Sequence, residues 1–138
     1  MQKGLTVIEL IITIATIIII AAIAPIVWDR YATESHDIRR FGAIEELRLS
    51  LRSSFLSHGM YPVSIKGENV TADSAVMKSL ISDFFVAKTH LPIDPESPKY
   101  DFFYQSDGRV YTITFCQLKY AQKGYELGCR NKVSPLAI

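Results

Sequence analysis

From Leu10 to Trp28 the chain carries 19 consecutive residues without a charged side chain. As a helix this run spans roughly 28 Å, close to the ~30 Å hydrocarbon core of a bilayer. Isoleucine dominates it, and Thr13 and Thr16 are its only polar members. Their hydroxyls are expected to bond back to helix carbonyls, which makes them cheap in lipid. Lys3 is the one basic residue ahead of the run. By the positive-inside tendency it keeps the N-terminus cytoplasmic and sends the larger C-terminal part outward. Trp28 and Tyr31 follow where an interfacial aromatic pair belongs. The remainder, from Asp29 to Ile138, mixes acidic and basic residues and is long enough to bury a modest core. Neither a disordered chain nor a purely soluble one fits this division.

Other function classes drop out on composition. A formal net charge of +1 provides no global field for nucleic acid or acidic substrates. Two cysteines are too few for a disulfide-dense mini-protein or a four-cysteine zinc site. His36, His58 and His90 are scattered, without His-x-x-x-His or Cys-x-x-Cys spacing, and no glycine-rich phosphate loop occurs. No metal, cofactor or catalytic residue is expected from these patterns.

Three accounts compete for the N-terminus. A secretory signal would carry an apolar stretch of about 7–15 residues and a small-residue cleavage site, and Trp28-Asp29-Arg30 is a poor exit for it. A plain anchor leaves Glu9 unexplained, since apolar character begins at Leu5 and the carboxylate interrupts it. Ionisable groups in a membrane segment are costly and usually have a partner and a role. The third account rests on Gly4-Leu5-Thr6-Val7-Ile8-Glu9-Leu10 ahead of the apolar run. This stretch resembles the type III signal of type IV pilins and pseudopilins.

The resemblance implies cleavage between Gly4 and Leu5 by an inner-membrane prepilin peptidase, with N-methylation of Leu5. The chain is then a substrate of processing, not an enzyme. It implies a leader of residues 1–4, a membrane and filament-core segment over 5–28, and a head over 29–138. It also implies that Glu9 pairs with the Leu5 amine of a neighbouring subunit during assembly. Ions brought together in low dielectric attract far more strongly than in water, and either one left unpaired would be costly. The alternative is a Glu9 solvated among headgroups. Leu5 stands where phenylalanine or methionine is commoner in the family. Pro25 falls one position before the helix proline of many members. Lacking an N–H, Pro25 is expected to kink or loosen the helix.

Beyond the membrane segment, Ile38, Phe41, Ile44, Leu47, Leu51 and Phe55 recur at spacings of three and four. They predict an amphipathic continuation of the helix, with Arg39, Arg40, Glu45, Glu46, Arg48 and Arg52 largely off the stripe. Gly59 is the expected C-cap and Pro62 the stop. Residues 63–73 read as a polar loop, and Asp73 as the N-cap of a short helix holding Val76, Leu80, Ile81, Phe84 and Phe85. Leu91-Pro92-Ile93-Asp94-Pro95 is a stiff loop, similar to the stretch ahead of the sheet in pilins and major pseudopilins. Strands are expected over Tyr100–Tyr104, Arg109–Leu118 and Tyr125–Cys129, with a hairpin turn at Asp107-Gly108. The expected fold is α+β: a long N-terminal helix, membrane half plus amphipathic half, packed on a small antiparallel β-sheet head.

Cys116 and Cys129 enclose 12 residues. A disulfide is permitted if the head is exported, and many pilins close a C-terminal disulfide loop. Two buried thiols are the alternative. Asp94, Glu96, Asp101 and Asp107 lie in a region where some major pseudopilins bind calcium. Their spacing matches no EF-hand, and turn residues with solvated charge are the preferred account. Lys119, Lys123, Arg130 and Lys132 form a basic stretch read chiefly as a solvated face, with nucleic acid a weak partner. The family implies a helical homo-oligomer, an inner-membrane assembly platform and its ATPase, and a filament outside the cytoplasmic membrane. The Leu-Pro-x-Asp-Pro stretch and small size suit a pseudopilin of secretion or DNA uptake, and the cysteine loop suits a pilin. A membrane-anchored receptor or accessory domain that never polymerises is the reading from a different class.

Overall fold

In the computed structural model of the chain the described residues are 6–119 and 124–135, without the side chains of 26, 27, 29, 30 and 33. The fold is α+β. Helix α1 runs Val7–His58. Strand β1 (Ser64–Val70), helix α2 (Ala75–Ser82) and strands β2 (Phe102–Ser106), β3 (Tyr111–Gln117) and β4 (Gly128–Val133) follow. The four strands form one antiparallel sheet in the order β1-β2-β3-β4. The chain divides into two units, one up to Thr33 and one from Glu34.

In the first unit the apolar side chains from Val7 to Ile23 are exposed. Val7–Pro25 is long and apolar enough to cross a membrane, and it is exposed throughout. The Thr13 hydroxyl donates to the Glu9 carbonyl at 2.6 Å, and that of Thr16 to Ile12 at 3.0 Å and Thr13 at 2.8 Å. Both hydroxyls are thus satisfied within the helix, as their position demanded. Pro25 lies inside α1.

The second unit has a closed core. From α1 it takes Ile44, Leu47 and Leu51, from the sheet Phe102, Tyr104, Tyr111, Ile113 and Phe115, and from α2 Val76, Met77 and Leu80. The alternation expected of β3 holds from Tyr111 to Phe115, with Tyr111, Ile113 and Phe115 buried and Thr112 and Thr114 half-buried, and ends where Cys116 and Gln117 are both buried. Gly59, at φ +72, follows the last residue of α1, and its N–H bonds Phe55 O at 2.8 Å, the glycine cap expected there. The Tyr104 hydroxyl donates to Pro62 O at 2.7 Å, fastening the chain just after the helix to β2.

The stretch expected to be a loop over 63–73 contains strand β1, so the sheet has four strands where three were expected. Only Val70 of β1 is buried. As an edge strand it pairs through its backbone and needs no apolar alternation, so no period-2 signal marks it. Its register shifts between Ser64 and Glu68. Gly67 lies in that irregularity at φ +74 beneath the Phe103 ring, where a Cβ would come within 2.2 Å of Cζ. Only glycine admits this approach.

Helix α2 is capped by Ser74, not Asp73, and ends before Phe84. Ser74 Oγ accepts from Met77 N at 3.4 Å, and Glu68 Oε2 accepts from Ala75 N at 2.7 Å. Phe84 takes φ +61 just beyond the helix and is almost wholly exposed. The strands begin later than expected. Asn131 closes the turn before β4, accepting from Glu126 N at 2.9 Å and donating to the Glu126 and Gly128 carbonyls at 2.7 and 3.0 Å. Those bonds hold 126–128 in a turn and leave Gly128–Val133 to pair.

Candidate functional site

Gly4 and Leu5 lie outside the described residues, so the site is built from Thr6 onward. Thr6 immediately precedes the first helical residue, and Glu9 stands three residues after it. The Thr6 N–H and hydroxyl both donate to Glu9 Oε2 at 2.8 Å, while Glu9 N–H donates back to Thr6 Oγ1 at 3.4 Å. This reciprocal pattern is a capping box, which satisfies N–H groups that the first turn of a helix leaves orphaned. The Thr-x-x-Glu spacing is its signal in the sequence. The box fixes the Glu9 carboxylate at the start of α1, pointing back toward the N-terminal end of the helix.

A second cluster lies in the head, and charge type concealed it. Arg40 is wholly buried, contrary to the expectation that it lies off the core stripe. Its guanidinium holds Asp94 with Nε to Oδ2 at 2.6 Å and Nη2 to Oδ1 at 3.0 Å. Nη2 also donates to Glu96 Oε2 at 2.9 Å, and Nη1 to Asp37 Oδ1. Asp37 further accepts from Leu118 N at 3.0 Å and from Lys119 N at 2.6 Å. Asp94 accepts from Glu96 N at 2.9 Å, and Tyr100 lies with its ring centroid 5.6 Å from the guanidinium carbon. Burial alone would lower the Arg40 pKa; bonds and charge from Asp94, Glu96 and Asp37 outweigh it and hold it above the ordinary arginine value.

One guanidinium therefore ties α1 to the proline-rich loop and, through Asp37, to the end of β3. Asp94 and Glu96 are not the solvated turn charges expected from sequence, because Arg40 occupies their oxygens. Asp101 accepts from Ser97 Oγ at 2.6 Å. Asp107 accepts from Arg109 N at 2.8 Å and Val110 N at 2.9 Å, and these two bonds lower its pKa. The four carboxylates do not converge, and no cluster suited to a metal ion occurs among the described residues.

Cys116 and Cys129 form a disulfide that joins β3 to β4 where their register shifts. Arg130 and Lys132 are exposed on β4, and Lys119 lies exposed beyond β3. Lys123 falls outside the described residues. His90 Nε2 lies 3.3 Å from Glu46 and His58 Nε2 3.9 Å from Asp83, so these histidines are not assembled together. No protein-family model, curated protein or solved structure matches the chain.

Proposed function

We propose that this chain is a structural subunit of a type IV pilus-like filament. It is inserted in the cytoplasmic membrane with its N-terminus inside, cleaved after Gly4 and polymerised through its apolar helix. The observation that carries this reading is Glu9, a carboxylate held at the head of a span-length apolar helix with Thr6 as its local partner. Cleavage creates an ammonium on Leu5, four residues from Glu9. An incoming subunit whose carboxylate meets the amine of its neighbour is set in axial register, and the pair removes two uncompensated charges from a low-dielectric core. Apolar faces that lipid covered are then covered by identical helices. Pro25 frees the carbonyl of Ala21, loosening the helix where neighbours can satisfy it. The disulfide accords with an exported head. A pseudopilin of a secretion or DNA-uptake system shares the same architecture, and the buried anchoring of Asp94 in the Leu-Pro-x-Asp-Pro stretch favours it.

The test is Glu9→Ala in the native host. The variant should remain in the membrane fraction at normal abundance and be lost from sheared filaments. A non-polymerising anchored domain would show neither filaments nor any response to the substitution.

A further inference from the structure

Helix α2 ends in a turn that ordinarily calls for glycine. The Phe85 N–H donates to the Leu80 carbonyl at 2.9 Å, and the Phe84 N–H to the Ile81 carbonyl at 3.1 Å. These are the two bonds of a Schellman motif, and Phe85 packs on the core as the residue after the left-handed position usually does. The left-handed position itself is held by Phe84, at φ +61. A bulky side chain is disfavoured at positive φ. A phenyl ring left 94% exposed gains nothing from the head in return. Glycine would close the same turn without either cost. Backbone strain that serves only to hold an apolar ring in solvent points to a contact surface.

Phe84 borders a groove of about 570 Å³ on the outer side of α2. Half-buried Ile81 and Leu91 line it with Phe84, and Lys78 and Lys88 stand among them. The Lys78 ammonium lies 3.8 Å from Asp73, whose own side chain is almost wholly exposed. Lys88 has no ion pair among the described residues, and Asp83 is drawn toward His58 at 3.9 Å. The groove is thus apolar within and carries surplus positive charge.

We propose that this groove docks an acidic segment of another protein, which seats a large apolar side chain against Phe84, Ile81 and Leu91 and lays carboxylates on Lys78 and Lys88. A small molecule is held by enclosing most of its surface, and with Phe84 this open one side of it would stay wet. A segment of chain brings its own backbone to that side. Nucleic acid fits less well. Two lysines neutralise about two phosphates, and Ile81 and Leu91 offer no ring for stacked bases. Every residue of the groove belongs to the second unit, so the proposal stands whether or not the chain polymerises.

The full chain in phosphatidylcholine nanodiscs tests this by fluorescence anisotropy. The probes are labelled hexapeptides in which Asp or Glu alternates with Phe, Leu or Trp. The controls carry Lys at every acidic position. The acidic peptides should bind saturably and weaken as salt is raised, and the basic ones should not bind. Lys78→Glu with Lys88→Glu should cut affinity by about tenfold or more. Phe84→Gly separates docking from folding: it should abolish binding while the denaturation midpoint of the head is unchanged or rises. Absence of binding by the acidic peptides, equal binding of the basic ones, or binding that ignores Phe84→Gly would overturn the proposal. A fall in the midpoint of that variant would overturn it too, because Phe84 would then serve the head's own stability. An oligothymidine bound in preference to the peptides would overturn it in favour of nucleic acid.

Discussion

The two units of this chain keep their apolar side chains in opposite circumstances. In the first, Val7, Ile8, Ile11 and the isoleucines on to Ile23 are about half or more exposed, and Glu9, Thr13 and Thr16 find hydrogen-bond partners within the helix or at its cap. In the second, helix, sheet and α2 bury Leu47, Leu51, Phe102, Tyr104, Ile113 and Leu80 completely. The head carries its own folding energy. The apolar segment does not, and its free energy depends on what surrounds it, lipid or other helices. On the proposed filament reading, this division lets the apolar helix pass from lipid to other helices without unfolding the head.

The sharpest way to break the comparison is to disable one unit and read the other. Glu9→Ala should eliminate incorporation into filaments while leaving the thermal midpoint of the head unchanged, followed by near-ultraviolet circular dichroism in detergent. A head destabilised by that change would show that the units are not independent. Arg40→Met should do the reverse. It takes the guanidinium away from the buried carboxylates of Asp37 and Asp94, and removing one partner of a buried ionic group costs about 3–5 kcal/mol. Chemical denaturation of the head should reveal that loss, with membrane insertion intact.

Smaller effects sharpen the account of the head alone. Reduction of Cys116–Cys129, whose sulfurs are 13 residues apart in sequence, should cost roughly 3 kcal/mol in the chain-entropy model. The denaturation midpoint with and without reductant measures it. Alkali supplies the mildest perturbation. Burial pushes the Tyr104 hydroxyl above the ordinary tyrosine value, and Tyr111 likewise. A group whose folded pKa is raised contributes stability that is complete below the unfolded pKa, near 10, and is lost as pH rises through and beyond it. The head should therefore weaken above about pH 10, and Tyr104→Phe should flatten that decline while forfeiting the bond to Pro62.

Much of this architecture could be read before any coordinates. Periodicity located α1, and Gly59 marked its end. The Asp107-Gly108 turn and the alternation of β3 located the central hairpin. What stayed hidden depends on tertiary partners. Strand β1 is a polar edge whose pairing is carried by backbone, so Ser64–Val70 has no apolar signature. Arg40 occupies the same helical face as Ile44, Leu47 and Leu51, at spacings of four, seven and eleven. Position therefore placed it inside, while its charge argued for solvent. The deciding fact was Asp94, 54 residues away on a loop whose prolines announce stiffness but not destination. At the candidate site, Glu9 and Thr6 were visible as a motif. Their mutual hydrogen bonds follow from capping-box spacing, which a membrane-centred reading passes over.

The most direct test is the intact mass of the mature chain, isolated from both membrane and filament fractions of its native host. The filament account predicts that residues 1–4 are gone in the filament fraction, leaving Leu5 as the N-terminal residue, usually with one added methyl group. A chain recovered only from the membrane, with Met1 to Gly4 still attached, would contradict it.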